Sequence, residues 1–174
     1  TDDFDNYSLQ LGWIHDIETS VQFFTNLSMA FRAPQATELY RLQQNQQVAD
    51  LESEEMESFE VGYRASRGNV SYTLAAYYML KDNVIFQDSG RNNVSGGETK
   101  HRGLELNTLF NLSDDWSLSV TASYARHTYE ANVAPRGVRV LLDGKDIDTA
   151  PKLTGNAKLN WQINNNSSMN LEWV

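Results

Sequence analysis

Histidine and carboxylate side chains are the groups here with chemistry to offer, and their spacing decides which chemistry. The histidines are His15, His101 and His127, far apart along the chain. On the strand map below, His101 and His127 fall near the same edge of neighbouring strands and could approach one another. Two imidazoles without a carboxylate partner make a poor metal site, so they read as surface residues and no metal ligand is assigned. Asp143-Gly144-Lys145-Asp146-Ile147-Asp148 gathers the oxygen ligands a hard cation takes, but without EF-hand spacing, and reads as a solvated loop. Glu60 and Glu105 fall on the polar side of strands one apart. Such a pair can do acid–base work, yet no nucleophile or companion pocket is evident. No catalytic residue is assigned, and no enzyme is expected.

Composition narrows the classes. The 174 residues fit one domain, taken as 1–174, with 23 acidic and 14 Lys/Arg side chains and a net charge of −9. That excludes nucleic acid as a partner, because phosphates call for a basic footprint. Without cysteine there is no disulfide framework and no thiolate site. No apolar run approaches the ~18 residues of a transmembrane helix. Thr1-Asp2-Asp3-Phe4-Asp5 has neither the basic region nor the apolar core of a signal peptide. Aromatic content of 11%, regularly placed, argues against disorder. Trp173-Val174 falls inside an expected strand, which suggests a fragment of something longer.

The elements that must position these residues are strands, because period-2 alternation dominates. Strands are predicted over residues 7–15, 21–32, 56–67 and 70–86, then from Leu104, from Trp116, over 152–163 and from Ser168. No helix of useful length is predicted. The window 53–60 has helical glutamates, but Phe59, Val61 and Tyr63 favour a strand. Short turns are expected at 16–20, 66–69, 113–115 and 164–167, and long polar loops at 33–55, 87–102 and 129–150. In an up-and-down antiparallel sheet this puts the short turns at one edge and the long loops at the other.

Strands of ten or more residues, one face apolar and the other rich in Ser, Thr, Asn and Gln, match a transmembrane β-barrel. In lipid every backbone group must be paired, which requires closure. Leu74, Val120 and Leu159 are expected to face lipid. Tyr72, Trp116 and Trp161 lie beside short turns, and Phe31 and Tyr124 lie toward the long loops, as interfacial girdles would. The competing architecture is a soluble β-sandwich, a binding or adhesion module, whose inner face is also apolar. The expected fold class is all-β, an antiparallel up-and-down barrel sector of about eight strands.

Phe31-Arg32-Ala33-Pro34, followed by Glu38-Leu39-Tyr40, closely resembles a signature in the C-terminal barrel half of TonB-dependent outer-membrane receptors. Leu51-Glu52-Ser53-Glu54-Glu55 followed by Phe59-Glu60-Val61-Gly62, then Lys81-Asp82, Arg102-Gly103-Leu104-Glu105 and Ala150-Pro151-Lys152-Leu153, resemble that family's later landmarks. They occur in family order over about residues 20–163. The resemblance implies a 22-stranded barrel in the bacterial outer membrane, filled by an N-terminal plug, importing a scarce metal chelate with energy relayed by TonB. The plug and the last strands are not in this chain, so alone it should transport nothing and should expose two sheet edges.

By resemblance a ferric siderophore is the favoured cargo, with haem or cobalamin as alternatives. Haem receptors of the family pair this signature with a loop histidine and an Asn-Pro-Asn-Leu box; residues 33–55 hold neither. Arg91, Lys100 and Arg102 could meet an anionic chelate from the loops, and Tyr40 or Tyr129 could stack against an aromatic one. No cofactor is implied.

Overall fold

The structure, a computed structural model, describes residues 4–40, 50–87, 92–130 and 141–174. Alternating side chains produce β1 (Leu9–Glu18), β2 (Val21–Arg32), β3 (Glu54–Arg67), β4 (Val70–Gln87), β5 (Asn93–Asn111), β6 (Trp116–Tyr129), β7 (Leu153–Asn164) and β8 (Ser167–Trp173). They form one sheet in sequence order, every neighbour antiparallel. Three of the four short turns are tighter than expected because the strands run further into them, while the turn expected at 113–115 spans 112–115. In the β3–β4 turn Gly68 takes φ +58, a left-handed conformation only glycine adopts cheaply.

The second expected loop is a correction. Residues 93–102 belong to β5, so β4 and β5 contain 18 and 19 residues, about twice the 9–11 that span a hydrocarbon layer. Glycines and charges in this stretch suggest a loop, but the ladder continues past a bulge. Asn83 takes φ 55 and the register shifts between Lys81 and Val84. A bulge absorbs one residue without ending pairing. The first long loop also differs, because it opens with a short helix, α1 (Ala36–Tyr40). The third turns back on itself: Ile147 N–H donates to the His127 carbonyl at 2.9 Å and Tyr129 N–H to the Lys145 carbonyl at 3.0 Å. That return covers the edge of β6 beyond Tyr124, where pairing with β7 ends.

One face carries Leu11, Leu27, Phe59, Leu74, Leu104 and Tyr124, all more than a third exposed. Trp116 and Trp161, register partners at the short-turn end of that face, stack with centroids 5.1 Å apart. Buried hydrophobics among the described residues are Val21, Leu51, Ala65, Ala75 and Ala125. A sandwich would seal its apolar face under a second sheet; here all eight strands share one sheet, and the sandwich reading is discarded.

The opposite face is polar and cross-linked: Asn26 Nδ2–H donates to Glu60 Oε1 at 3.0 Å, and the Ser28 and Ser58 hydroxyls meet at 2.6 Å. Aromatic rings lie flat here over glycines. A Cβ on Gly62 would sit 2.0 Å from Phe24 Cζ, and one on Gly103 would sit 2.8 Å from Tyr77 Cε1. Arg64 covers the Phe24 ring at 5.5 Å.

Candidate functional site

Charge gathers at the long-loop end, just past the apolar band. On the apolar face the band gives way to Glu57 after Phe59, to Arg102 after Leu104 and to Arg126 after Tyr124. On the polar face at this height stand two separate constructions.

The first is built on Arg32, the last residue of β2. Its Nε and Nη2 donate to the two oxygens of Glu54 at 2.8 and 2.6 Å, and its Nη1 donates to Glu38 Oε2 at 2.9 Å. Arg32 and Glu54 are ladder partners, so pairing itself delivers the fork to the carboxylate. Pro34, buried, ends the strand, and α1 begins two residues later. Glu38 also accepts the Gln35 N–H at 2.7 Å, satisfying a donor at the start of α1 as a capping-box glutamate does. Glu54 Oε1 accepts the Ile85 N–H at 2.8 Å, from the stretch beyond the Asn83 bulge. Asn93 Nδ2–H reaches the Glu38 carbonyl at 2.7 Å. One guanidinium thus ties β2, α1, β3 and, through these contacts, β4 and β5. Hydrogen bonds from Glu54, then Glu38, hold its proton more firmly than usual, while Arg32 holds the Glu54 carboxyl below its ordinary range. The Phe31–Tyr40 stretch therefore acts as a staple at the barrel mouth.

The second joins His101 and His127, ladder partners on β5 and β6. Their Nδ1 atoms meet at 2.7 Å, and His101 Nε2 lies 2.9 Å from the Thr99 hydroxyl. They are half-buried and paired, not separate surface residues. Burial, then His127, then Lys81, lower the His101 pKa to about 4. His15 lies far off, stacked on Trp13.

The expected ligand residues do not converge. Arg91 lies outside the described residues. Lys100 and Arg102 stand in β5, not in a loop, and alternate with His101 onto the opposite, apolar-side face. There Lys100 pairs with Glu130. Tyr129 is the ladder partner of Thr99, beside the histidine pair, and Tyr40 ends α1, 64% exposed. Glu60 partners Tyr77, while Glu105 stands two residues along β5 from Gly103, so β4 separates the two carboxylates. From the acidic run, Asp146 holds Arg126 at 3.0 Å and Lys152 at 2.6 Å, which makes it an ion-pair hub. Sequence reasoning missed Glu54 as the partner of Arg32, since that contact depends on the β2–β3 register across a long loop.

No curated protein matches the chain by sequence. Solved structures do match in fold. The siderophore receptor PirA from Pseudomonas aeruginosa aligns with a TM-score of 0.71 at 19% identity over 96% of this chain and 30% of its own. The ferric citrate transporter FecA aligns at 0.69, with 17% identity over 95% of this chain and 24% of its own. The copper transporter OprC aligns at 0.68, with 17% identity over 88% and 23%. The chain thus spans less than a third of each of these proteins. The family described as TonB dependent receptor-like, beta-barrel matches residues 1–173. With that match over a single up-and-down sheet in family order, the chain belongs to the TonB-dependent receptor β-barrel family.

Proposed function

We propose that this chain is a barrel sector of a bacterial outer-membrane receptor that takes up a metal chelate, a ferric siderophore, on energy relayed by TonB. Its apolar face lies against lipid and its polar face against the receptor's own N-terminal plug. The observation that carries the reading is the uninterrupted apolar face of a single sheet, with a charged rim at the long-loop end. The Arg32 staple fixes the strand ends that border the extracellular opening, and Tyr40, Tyr129 and Arg91 are the residues proposed to meet the chelate there. Lys100 and Arg102, on the outward side, are set aside as contacts and placed at the lipid headgroup level, where cationic side chains suit anionic lipid.

The test is uptake. Iron-starved cells carrying the intact receptor should accumulate radiolabelled iron from a siderophore, and lose that uptake when either the receptor or TonB is removed. Uptake that survives loss of TonB overturns the energy source, and unchanged uptake without the receptor overturns the cargo. Spin labels at Leu74, Val120 and Leu159 test the embedding separately: a lipid-soluble quencher should reach all three, and quenching by a water-soluble reagent alone refutes it.

A further inference from the structure

We infer that Arg102, Arg126 and Lys152 form a binding site for the phosphate of one membrane lipid on the outward face of β5 to β7, its acyl chains lying on the apolar row beneath. The inference rests on the proposed reading that this face meets lipid, and adds a defined site to it. Arg102 of β5 and Arg126 of β6 are direct register partners. Both alternate onto the apolar side, one step along the ladder from Leu104 and Tyr124, which are partners in turn. Lys152 immediately precedes β7 and comes to the same side, because it shares a carboxylate with Arg126. Asp146 takes Lys152 Nζ at 2.6 Å and Arg126 Nε at 3.0 Å.

Like charges directly opposite on one face of a ladder are destabilising, so strand register sets up a repulsion here that a bound anion relieves. Among the described residues Asp146 is the one carboxylate in ion-pair range of these three cations, which leaves an excess of two positive charges. Arg102 itself has no ion pair. Glu130 feels its charge, but is already held by Lys100 at 2.5 Å and by the Thr128 hydroxyl at 2.7 Å. Arg126 spends only Nε on Asp146, so both terminal nitrogens are open. A guanidinium is a planar fork that matches phosphate oxygens, and two forks on adjacent strands can grip one phosphate from two sides.

The neighbouring row selects a lipid over a free phosphate. Leu104, Tyr124 and Leu153 are successive register partners and are 53%, 56% and 73% exposed, so no protein group covers them. A free phosphate would occupy the cations and leave this row bare, whereas a lipid engages both, and burial of the apolar row adds to its affinity. The sign of the rim also confines the site to these strands. On β3 and β4 the outward partners beyond the apolar band are Glu55 and Asp82, with Glu57 one step before them, and these repel a phosphate.

The experiment uses the intact receptor in detergent, freed of bound lipid, with native mass spectrometry counting bound molecules as phosphatidic acid is titrated. Phosphatidylcholine of the same chains masks the phosphate with a cation, and glycerol 3-phosphate carries the phosphate without chains. One phosphatidic acid should bind at least tenfold more tightly than either. Arg102→Gln should weaken it roughly fivefold, and Arg102→Gln with Arg126→Gln at least tenfold. Arg67→Gln, which removes the same charge at the short-turn end, should leave it within twofold. Equal affinity for phosphatidic acid and phosphatidylcholine overturns the site. So does full competition by an equal concentration of glycerol 3-phosphate, which would mark a site for free phosphate. A loss in Arg102→Gln no larger than in Arg67→Gln overturns it as well. Should the double variant fail to assemble, Arg102→Gln, which breaks no ion pair, still decides. The spin labels at Leu74, Val120 and Leu159 keep the two readings apart: quenching by the lipid-soluble reagent without selective phosphatidic acid binding removes this site alone.

Discussion

Replacing Arg32 by Met keeps most of the side-chain volume and removes the charge that two glutamates share. Glu38 and Glu54 are then left as unpaired anions, their side chains 23% and 16% exposed. A hydrogen bond to a charged group contributes about 1.5–3 kcal/mol when well buried, and an exposed ion pair only about 0.2–1 kcal/mol. Arg32 is 38% exposed, so screening moves both pairs toward the lower range. Glu54, forked and less exposed, is taken at about 1–1.5 kcal/mol and Glu38 at about 0.5 kcal/mol, together roughly 2 kcal/mol. The loss is local, because the cluster joins strand ends and not the central ladder. Amide hydrogen exchange of the intact receptor reads it directly. The Gln35 N–H bonded to Glu38 and the Ile85 N–H bonded to Glu54 report from two sides of the cluster. Protection in segments 34–40 and 83–87 should fall about tenfold to thirtyfold, since 1.4 kcal/mol is one decade. Segments 104–111 and 116–124 should not change. Arg32→Lys, a single point donor without the planar fork, should restore only part of the protection. Because Glu54 is held below its ordinary 4.5, the staple contributes fully above that pH and is lost as pH falls through the depressed value. A change below twofold in both segments, or an equal loss across the whole barrel, would refute a local staple.

Three other expectations rest on different parts of the sheet. His101 is neutral in the fold down to about pH 4, whereas an unfolded histidine protonates near 6.5. Its stabilising contribution is therefore complete above 6.5 and falls between 6.5 and 4, so exchange in segments 99–103 and 127–130, corrected for intrinsic rate, should accelerate as pH falls from 7 to 5. The acceleration should vanish in His101→Asn. Gly62→Ala collides with the movable Phe24 ring, and Gly103→Ala with the Tyr124 carbonyl at 2.8 Å as well as with Tyr77. Each should cost about 1–3 kcal/mol in thermal unfolding; Phe24→Ala should rescue the first, while Tyr77→Ala should leave the second impaired. Leu74→Arg should destabilise the folded receptor in bilayers by about 2–4 kcal/mol and Thr73→Arg, on the polar face, by much less; equal costs would remove the distinction between lipid and lumen.

Alternation in residues 21–32 and 70–80 was readable because each such strand has unlike surroundings on its two faces, and side chains carry that contrast with period 2. The start of β5 was not readable for the same reason, whereas β4 was expected through to residue 86 and ends at Gln87. Beyond Phe59 and Leu104 both faces meet polar surroundings, so Asn93 to Lys100 pair as a ladder with no apolar signature, and Gly96 and Gly97 look like loop. The site depends on register, which alternation fixes only within one strand. Arg32 could be assigned to the polar face, yet its meeting with Glu54 depends on how a loop of some twenty residues closes, and its grip on β4 depends on the Asn83 bulge freeing the Ile85 N–H. Where the connection is a tight turn the inference is stronger. Gly68-Asn69 sets Val70 opposite Arg67, and counting outward by pairs from there puts Ser58 opposite Met79. The turn at 112–115 likewise leads, pair by pair, to His101 opposite His127. The histidine pair was therefore derivable from a turn and a count. Their proximity was foreseen; what was missed is that they pair half-buried, because residues near the rim of a sheet were taken as solvated, when an extended hairpin keeps both faces ordered well past the apolar band.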